Sequence, residues 1–306
     1  MTKPHFITAL CTPLTDISEL HLPGLETHLD DQRAHGFDEV LVAGSMGAMQ
    51  LLTDETYKAL VAATVERAAG WCSVLAGAGD AGFARTRDRI LYLNRFELAG
   101  IAVLCPFFWK FSQPELVGYF RMLADVAKAP LYLYDLPQVV GTKLELDTIL
   151  TLAEHPNIRG AKCSCDFDFT RQLLDSVDPS FRVIVAQPNL VDVLIRHGVR
   201  EQLDGMWGLA PKWTQELGRC AAAGDWAGAA VWQKQITALR NLLPTYGFSG
   251  VTGIMNARGV PGRLAPLPFR QLTEAERLRI YDEPIVRELV EDDPAAGAQV
   301  STEDVT

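Results

Sequence analysis

Eight times along this chain a short apolar, β-branched run gives way to a turn and then to a helical stretch. The candidate strands are Phe6–Cys11, Glu39–Ala43, Ser73–Gly77, Ile101–Cys105, Leu131–Tyr134, Ile158–Lys162, Arg182–Ala186 and Leu203–Trp207. Several are apolar throughout, as a parallel strand covered on both faces should be. Strands alternating with helices over some 200 residues demand a parallel α/β architecture. Eight cycles count to a (β/α)8 TIM barrel; a doubly wound sheet is the alternative that pattern alone leaves open. No Gly/Ser-rich linker divides the chain. We place the barrel in residues 1–225 and a C-terminal helical extension in 226–291. Residues 292–306, rich in Asp, Glu, Ala, Gly and Thr, read as an acidic, frayed tail.

The helices announce themselves by their ends. Residues 53–69 open on Thr53, an N-cap, with Asp54 and Glu55 in the positive first turn and Tyr57, Leu60, Val61 and Ala68 on the apolar face. Residues 112–128 open on Ser112-Gln113-Pro114-Glu115, the spacing of a capping box, and bury Leu116, Phe120, Leu123 and Ala127. Segments near 212–223, 226–242 and 272–291 also read as helices, the last two beyond what a barrel needs.

The 306 residues carry a net charge of −10, which repels nucleic acid and anionic membranes, and no run of basic residues offsets it. No apolar stretch approaches the ~20 residues of a membrane span. The N-terminus has no secretory apolar region, and Cys11, Cys72, Cys105, Cys163, Cys165 and Cys220 lie scattered among apolar neighbours. Both features lead us to expect a cytoplasmic protein with reduced thiols.

Chemistry in such a barrel belongs at the C-terminal strand ends. Lys162 closes the apolar strand Ile158-Arg159-Gly160-Ala161. An ammonium inside a barrel sheds its hydration, which disfavours the charged form and exposes a nucleophilic amine; the plainer reading is a strand-end lysine snorkelling to water. Tyr134 ends the neighbouring strand, where a phenol can shuttle protons or simply sit satisfied in the core. Gly44-Ser45-Met46-Gly47 makes a tight turn whose N–H groups and hydroxyl suit a carboxylate, or is a turn and nothing more.

The ordered set resembles the dihydrodipicolinate synthase / N-acetylneuraminate lyase family of class I aldolases and lyases. That family carries Gly-[Ser/Thr]-[Ser/Thr]-Gly-Glu after strand two, Tyr-x-x-Pro after strand five and Gly-x-Lys on strand six. Here these are Gly44-Ser45-Met46-Gly47-Ala48, Tyr134-Asp135-Leu136-Pro137 and Gly160-Ala161-Lys162. The opening Ile7-Thr8-Ala9-Leu10-Cys11-Thr12-Pro13-Leu14 and the later Leu75–Gly79 and Cys105–Lys110 segments also fall where the family's strands lie. The resemblance spans roughly residues 5–290 and implies a Schiff-base mechanism without a cofactor or metal. Lys162 would attack the ketone of a pyruvate-type 2-oxo acid, Tyr134 would shuttle protons, and Ser45 with the Met46 N–H would hold the carboxylate. Gly44, Gly47, Phe108, Val139, Ala186 and Trp207 complete the implied substrate-binding set. The family habit implies a homotetramer, a dimer of dimers.

Four departures bear on substrate. Met46 replaces the family's second hydroxyl residue, and Ala48 its glutamate. Phe107 and Phe108 stand where the synthases carry tyrosines, one of which a neighbouring subunit lends to the proton relay. Val139 stands where they carry an arginine that grips a distal carboxylate. We therefore expect a substrate whose second half is apolar or aromatic. The alternatives are a 2-keto-3-deoxy sugar acid aldolase or dehydratase, a synthase-like condensation, or a barrel that binds a 2-oxo acid without turning it over.

Four other motifs compete. Gly77-Ala78-Gly79-Asp80-Ala81-Gly82, with Glu97 further on, matches a dinucleotide fingerprint but follows the third strand and not the first. Gly44-Ser45-Met46-Gly47 is one residue from a nucleophile elbow, yet His155 and His197 fall on the wrong rim to serve it. His21, His28 and His35 recur every seven residues on a polar helix, which reads as a solvated face. Cys163-Ser164-Cys165 has no partners at zinc spacing, and Cys163 reads as packing.

Overall fold

The computed structural model describes residues 3–295. Eight parallel strands close into a barrel in chain order: β1 (His5–Ala9), β2 (Glu39–Val42), β3 (Ser73–Gly77), β4 (Gly100–Leu104), β5 (Leu131–Asp135), β6 (Ile158–Cys163), β7 (Arg182–Val185) and β8 (Glu201–Asp204). The closed order excludes the doubly wound sheet. Around it run α1 (Leu22–Ala34), α2 (Asp54–Ala68), α3 (Phe83–Leu93), α4 (Gln113–Val126), the single turn α5 (Pro137–Val140), α6 (Leu146–Ala153), α7 (Phe167–Ser176) and α8 (Val191–Arg196). After β8 come the short α9 (Met206–Leu209), then α10 (Pro211–Ala222), α11 (Trp226–Tyr246), α12 (Ser249–Arg258), α13 (Glu274–Asp282) and α14 (Pro284–Asp292).

The caps form as the sequence leads one to expect. Thr53 Oγ1 accepts from the Thr56 N–H at 3.1 Å, and Glu115 Oε2 accepts from the Ser112 N–H at 2.7 Å. Inside the barrel, Tyr132 spreads between two glycines. A Cβ on Gly100 or Gly160 would fall within 2.3–2.8 Å of its ring, so those strands carry glycine to admit an aromatic. The N-terminal end is closed by charge: Arg182 bridges Glu39 (2.6 Å) and Glu201 (2.8 Å), and His5 meets Glu201 at 2.8 Å. Charge pairing at the strands' N-terminal ends serves stability in such a barrel.

Several expectations need correction. The eighth strand ends at Asp204, three residues before Trp207. Helix α12 goes unannounced in the sequence, and Pro284 divides the expected 272–291 helix in two. The histidines of α1 do not form a solvated face. His21 caps the helix, its Nδ1 accepting from Gly24 N–H at 3.0 Å. His28 is fully buried and among the described residues its ring nitrogens have no hydrogen-bond partner, and His35 Nε2 meets Asp293 at 2.8 Å. The cause is the C-terminal extension, which covers this helix. Arg258 of α12 donates to both oxygens of Asp31 in α1 (2.9 and 3.1 Å) and meets Asp293 at 3.3 Å. Asp31, His35 and Asp293 offer ligand atoms within 4.8 Å of one another, but the guanidinium already supplies the cation there. The start of the acidic segment is accordingly docked: Asp293 and Ala295 are buried, while residues 296–306 lie outside the described range.

Candidate active site

The turn after β2 is shaped by two residues in the left-handed region, Ala43 (φ 53°) and Ala48 (φ 50°). An alanine there is strained by its Cβ, and neighbouring contacts hold it. Thr12 Oγ1 donates to Gly47 O at 2.7 Å, and Gly47 has no room for a Cβ, which would fall 2.9 Å from that same oxygen. Gly77 of β3 admits the turn from the other side: a Cβ there would lie 1.9 Å from Ala43 O. Among the described residues no protein acceptor takes the N–H groups of Ser45, Met46 or Gly47.

This turn aims Ser45 at the end of β5. Ser45 Oγ lies 2.7 Å from Tyr134 OH, and Lys162 Nζ donates to the same phenol oxygen at 2.5 Å. Tyr134 and Lys162 are paired residues in the β5–β6 register, so their side chains leave the sheet on one face. Both are buried, and the Lys162 ammonium also lies 3.8 Å from the phenol ring centroid. The lysine does not snorkel to water. A hydroxyl, a phenol and an amine thus form one continuous hydrogen-bonded chain at the C-terminal mouth of the barrel, and Ala186 follows directly after β7, its N–H donating to Cys163 O at 2.9 Å.

The other sequence-derived residues are placed as follows. Gly44 and Gly47 are buried in the β2 turn, with Met46 half-buried beside them. Phe108 and Val139 stand exposed on the rim after β4 and in α5, at 87% and 68% accessibility, and Phe108 adopts φ 81°. Trp207 does not belong to the lining. It sits in α9, fully buried, edge-on to Phe6 at 5.4 Å, with its indole N–H directed to Gln202 O at 3.4 Å. The misplacement follows from reading β8 too late.

Two residues behind the site carry no signal in the sequence. Asp135 is fully buried outside the barrel wall, where it accepts from Leu144 N–H (3.1 Å) and Cys165 Sγ (3.0 Å) and pairs with Lys143. It ties the Tyr134 strand end to the loop after α5 and to the end of β6. Asp204 accepts from the Met206 N–H at 2.9 Å; burial pushes its carboxyl above the usual range, against the pull of the Lys162 charge. Cys163 turns away from the mouth, and its thiol is pushed well up by a hydrogen bond to Cys165 and by burial.

The competing motifs dissolve into packing. Gly79 is required where a Cβ would meet the Leu104 backbone nitrogen at 2.8 Å, and Gly82 begins α3. His155 bonds Asp125 (3.2 Å), and His197 packs edge-on against Phe167 (5.9 Å); Ser45 has Tyr134 for its partner.

A family model described as the dihydrodipicolinate synthetase family matches residues 3–283. The chain belongs to the dihydrodipicolinate synthetase family. A 4-hydroxy-tetrahydrodipicolinate synthase of Stenotrophomonas maltophilia (strain K279a) is 30% identical over 252 residues, covering 82% of this chain and 83% of that protein. A prophage protein of E. coli K12 from the dihydrodipicolinic acid synthase family, solved in complex with pyruvate, shares the fold at TM-score 0.86 and 24% identity. It covers 94% of this chain and 98% of its own. The N-acetylneuraminate lyase of Proteus mirabilis aligns at TM-score 0.87 and 19% identity, over 94% of this chain and 99% of its own. Members of the dihydrodipicolinate synthetase family are class I, Schiff-base-forming lyases and aldolases, and this chain is an enzyme of that class. No helix among the described residues is long and apolar enough to cross a membrane.

Proposed function

We propose that Lys162 forms an imine with a pyruvate-type 2-oxo acid and that the enzyme, through the resulting enamine, makes or breaks the bond from C3 to the carbon beyond it. The observation that carries this reading is the Ser45–Tyr134–Lys162 chain, with contacts of 2.7 and 2.5 Å at adjoining strand ends. The amine attacks C2, giving a carbinolamine. Loss of water gives a protonated imine, which draws electrons from the breaking bond. Tyr134, within reach of the nitrogen, moves the protons that carbinolamine collapse and C3 protonation require. The Ser45 hydroxyl orients that phenol and, with the Met46 N–H, receives the carboxylate.

The second half of the substrate is apolar or aromatic. The side chains of Met46, Phe108 and Val139 offer no strong hydrogen-bonding group, and Trp109 a single indole N–H, to a polyhydroxylated chain or a distal carboxylate. This separates the enzyme from the synthase and the sugar-acid lyases whose folds it shares. The proposal also includes a cytoplasmic homotetramer, with the Phe107–Phe108 segment at a subunit contact but taking no part in proton transfer. Light scattering on the purified protein tests the assembly.

Treatment with pyruvate and borohydride should add the reduced adduct's mass to the peptide carrying Lys162. Lys162→Ala should abolish both the adduct and turnover. An unchanged mass in the native enzyme overturns the reading. A panel of 2-oxo acids should then favour apolar or aryl second halves; a preference for sugar acids would refute the substrate assignment.

A further inference from the structure

Strand alternation puts Leu203 and Gly205 on one face of β8 and its continuation, with Gln202 and Asp204 on the other. A side chain at Gly205 would have to displace that of Met46. A Cβ built on the glycine would lie 2.5 Å from Met46 Cγ, 2.6 Å from Sδ and 2.9 Å from Cε. Real Cβ atoms do not approach so closely, and here the obstruction is the whole outer half of one side chain. Since β1 lies between β2 and β8 in the closed order, the Met46 side chain reaches from the β2 turn across the end of β1 to the end of β8. It packs there against both apolar clusters of the molecule. On the opposite side the rim after β4 and in α5 presents Phe108, Trp109 and Val139, exposed at 87%, 69% and 68%.

We infer that Met46 and Gly205 are a matched pair that determines substrate specificity, closing the β8 side of the mouth and turning the substrate's distal half toward the rim formed by Phe108 and Val139. The inference rests on the imine reading and deepens it. A thioether offers no strong donor or acceptor, so a hydroxyl on C4 turned toward β8 loses its water with nothing in return, which disfavours it. An apolar C4 substituent directed the other way loses nothing. The missing side chain at 205 and the long one at 46 are then one feature, invisible to either position read alone.

The test is a cycle of Met46→Ala, Gly205→Ala and the double variant. Each is assayed for the borohydride-trapped pyruvate adduct and for kcat/KM on two 2-oxo acids, one with an aryl group and one with a hydroxyl at C4. Met46→Ala should raise the hydroxylated-to-aryl ratio by about tenfold or more, the scale on which one pocket group discriminates. Gly205→Ala forces the thioether out into the mouth and should lower kcat/KM for both by about tenfold, mostly through KM. Adding Met46→Ala to it should recover most of that loss, which a merely structural defect at Gly205 would not allow. A Gly205→Ala enzyme with native constants, or a double variant no better than it, overturns the pairing. Should Gly205→Ala fail to fold, the ratio in Met46→Ala alone decides: an unmoved ratio overturns the proposal. A native enzyme that traps no pyruvate overturns the imine reading and this inference with it, whereas trapping with an unmoved ratio overturns this inference alone.

Discussion

At the scale of single residues the chemistry depends on one shared oxygen. Tyr134 OH is hydrogen-bonded to both Ser45 and Lys162, so removing it uncouples proton transfer without removing the nucleophile. Tyr134→Phe should still trap pyruvate on Lys162 but slow bond cleavage by ~10²-fold. Rapid-quench kinetics separates the two steps, and unaltered cleavage would count against the role assigned. Ser45→Ala leaves the phenol unoriented and should raise KM for pyruvate while slowing turnover about tenfold. These three residues are legible in the sequence because each interrupts an apolar strand end with a reactive group before a turn. Asp135, Asp204 and Gly205 are not. Asp135 meets Lys143 and Cys165 from other loops, Asp204 sits at a strand end the apolar pattern misses, and Gly205 acquires meaning only when β2 and β8 approach across β1.

At the scale of elements the decisive piece is the turn after β2, held between two left-handed alanines. Its geometry depends on Gly77, where a Cβ would lie 1.9 Å from Ala43 O. Gly77→Ala should cost about 3 kcal/mol of stability, the upper end for overpacking, and displace Ser45 from Tyr134, so that activity falls with it. Ala48→Gly relieves a φ of 50° and should raise the unfolding free energy by about 1 kcal/mol, moving the urea midpoint up. Equilibrium unfolding of both variants checks the pair, and an unaltered midpoint for Gly77→Ala would show that the turn yields. Strands and capped helices were readable here because caps and apolar runs are local. Helix α12 was not, since Gly250 and Gly253 weaken its local signal. The structure explains Gly253: a Cβ there would meet Ile280 Cδ1 at 2.8 Å, so the glycine lets α13 pack closely.

At the scale of the whole molecule the C-terminal extension is locked onto α1 by buried charge, and histidines beside that lock titrate. Arg258 and Asp31 are both fully buried. Removing one partner of such a pair leaves the other uncompensated, so Arg258→Ala should cost about 3–5 kcal/mol. The histidines nearby act in opposite directions. Burial pushes the His28 imidazole from its ordinary 6.5 down to about 4. The unfolded chain takes up that proton below pH 6.5 and the folded protein only near 4, so stability falls as the solution is acidified through this window. The full shift amounts to about 3 kcal/mol. Burial also opposes charge on His35, but its bonds to Asp293 and the Asp31 carbonyl outweigh that and raise its pKa. His5 is raised likewise, chiefly by Glu201. The stability these two supply is complete below pH 6.5 and is lost as pH rises through their folded values. Asp293, held below its ordinary 3.8 by His35 and Arg258 against burial, loses its share only at still lower pH. Thermal stability should therefore peak near pH 6.5. His28→Leu should flatten the limb between 6.5 and 4, and His35→Gln should weaken the alkaline one. Melting temperatures from pH 4 to 9 measure this. An acid limb that persists in His28→Leu would assign it to carboxylates elsewhere, because no other histidine shown here has its pKa driven down by burial.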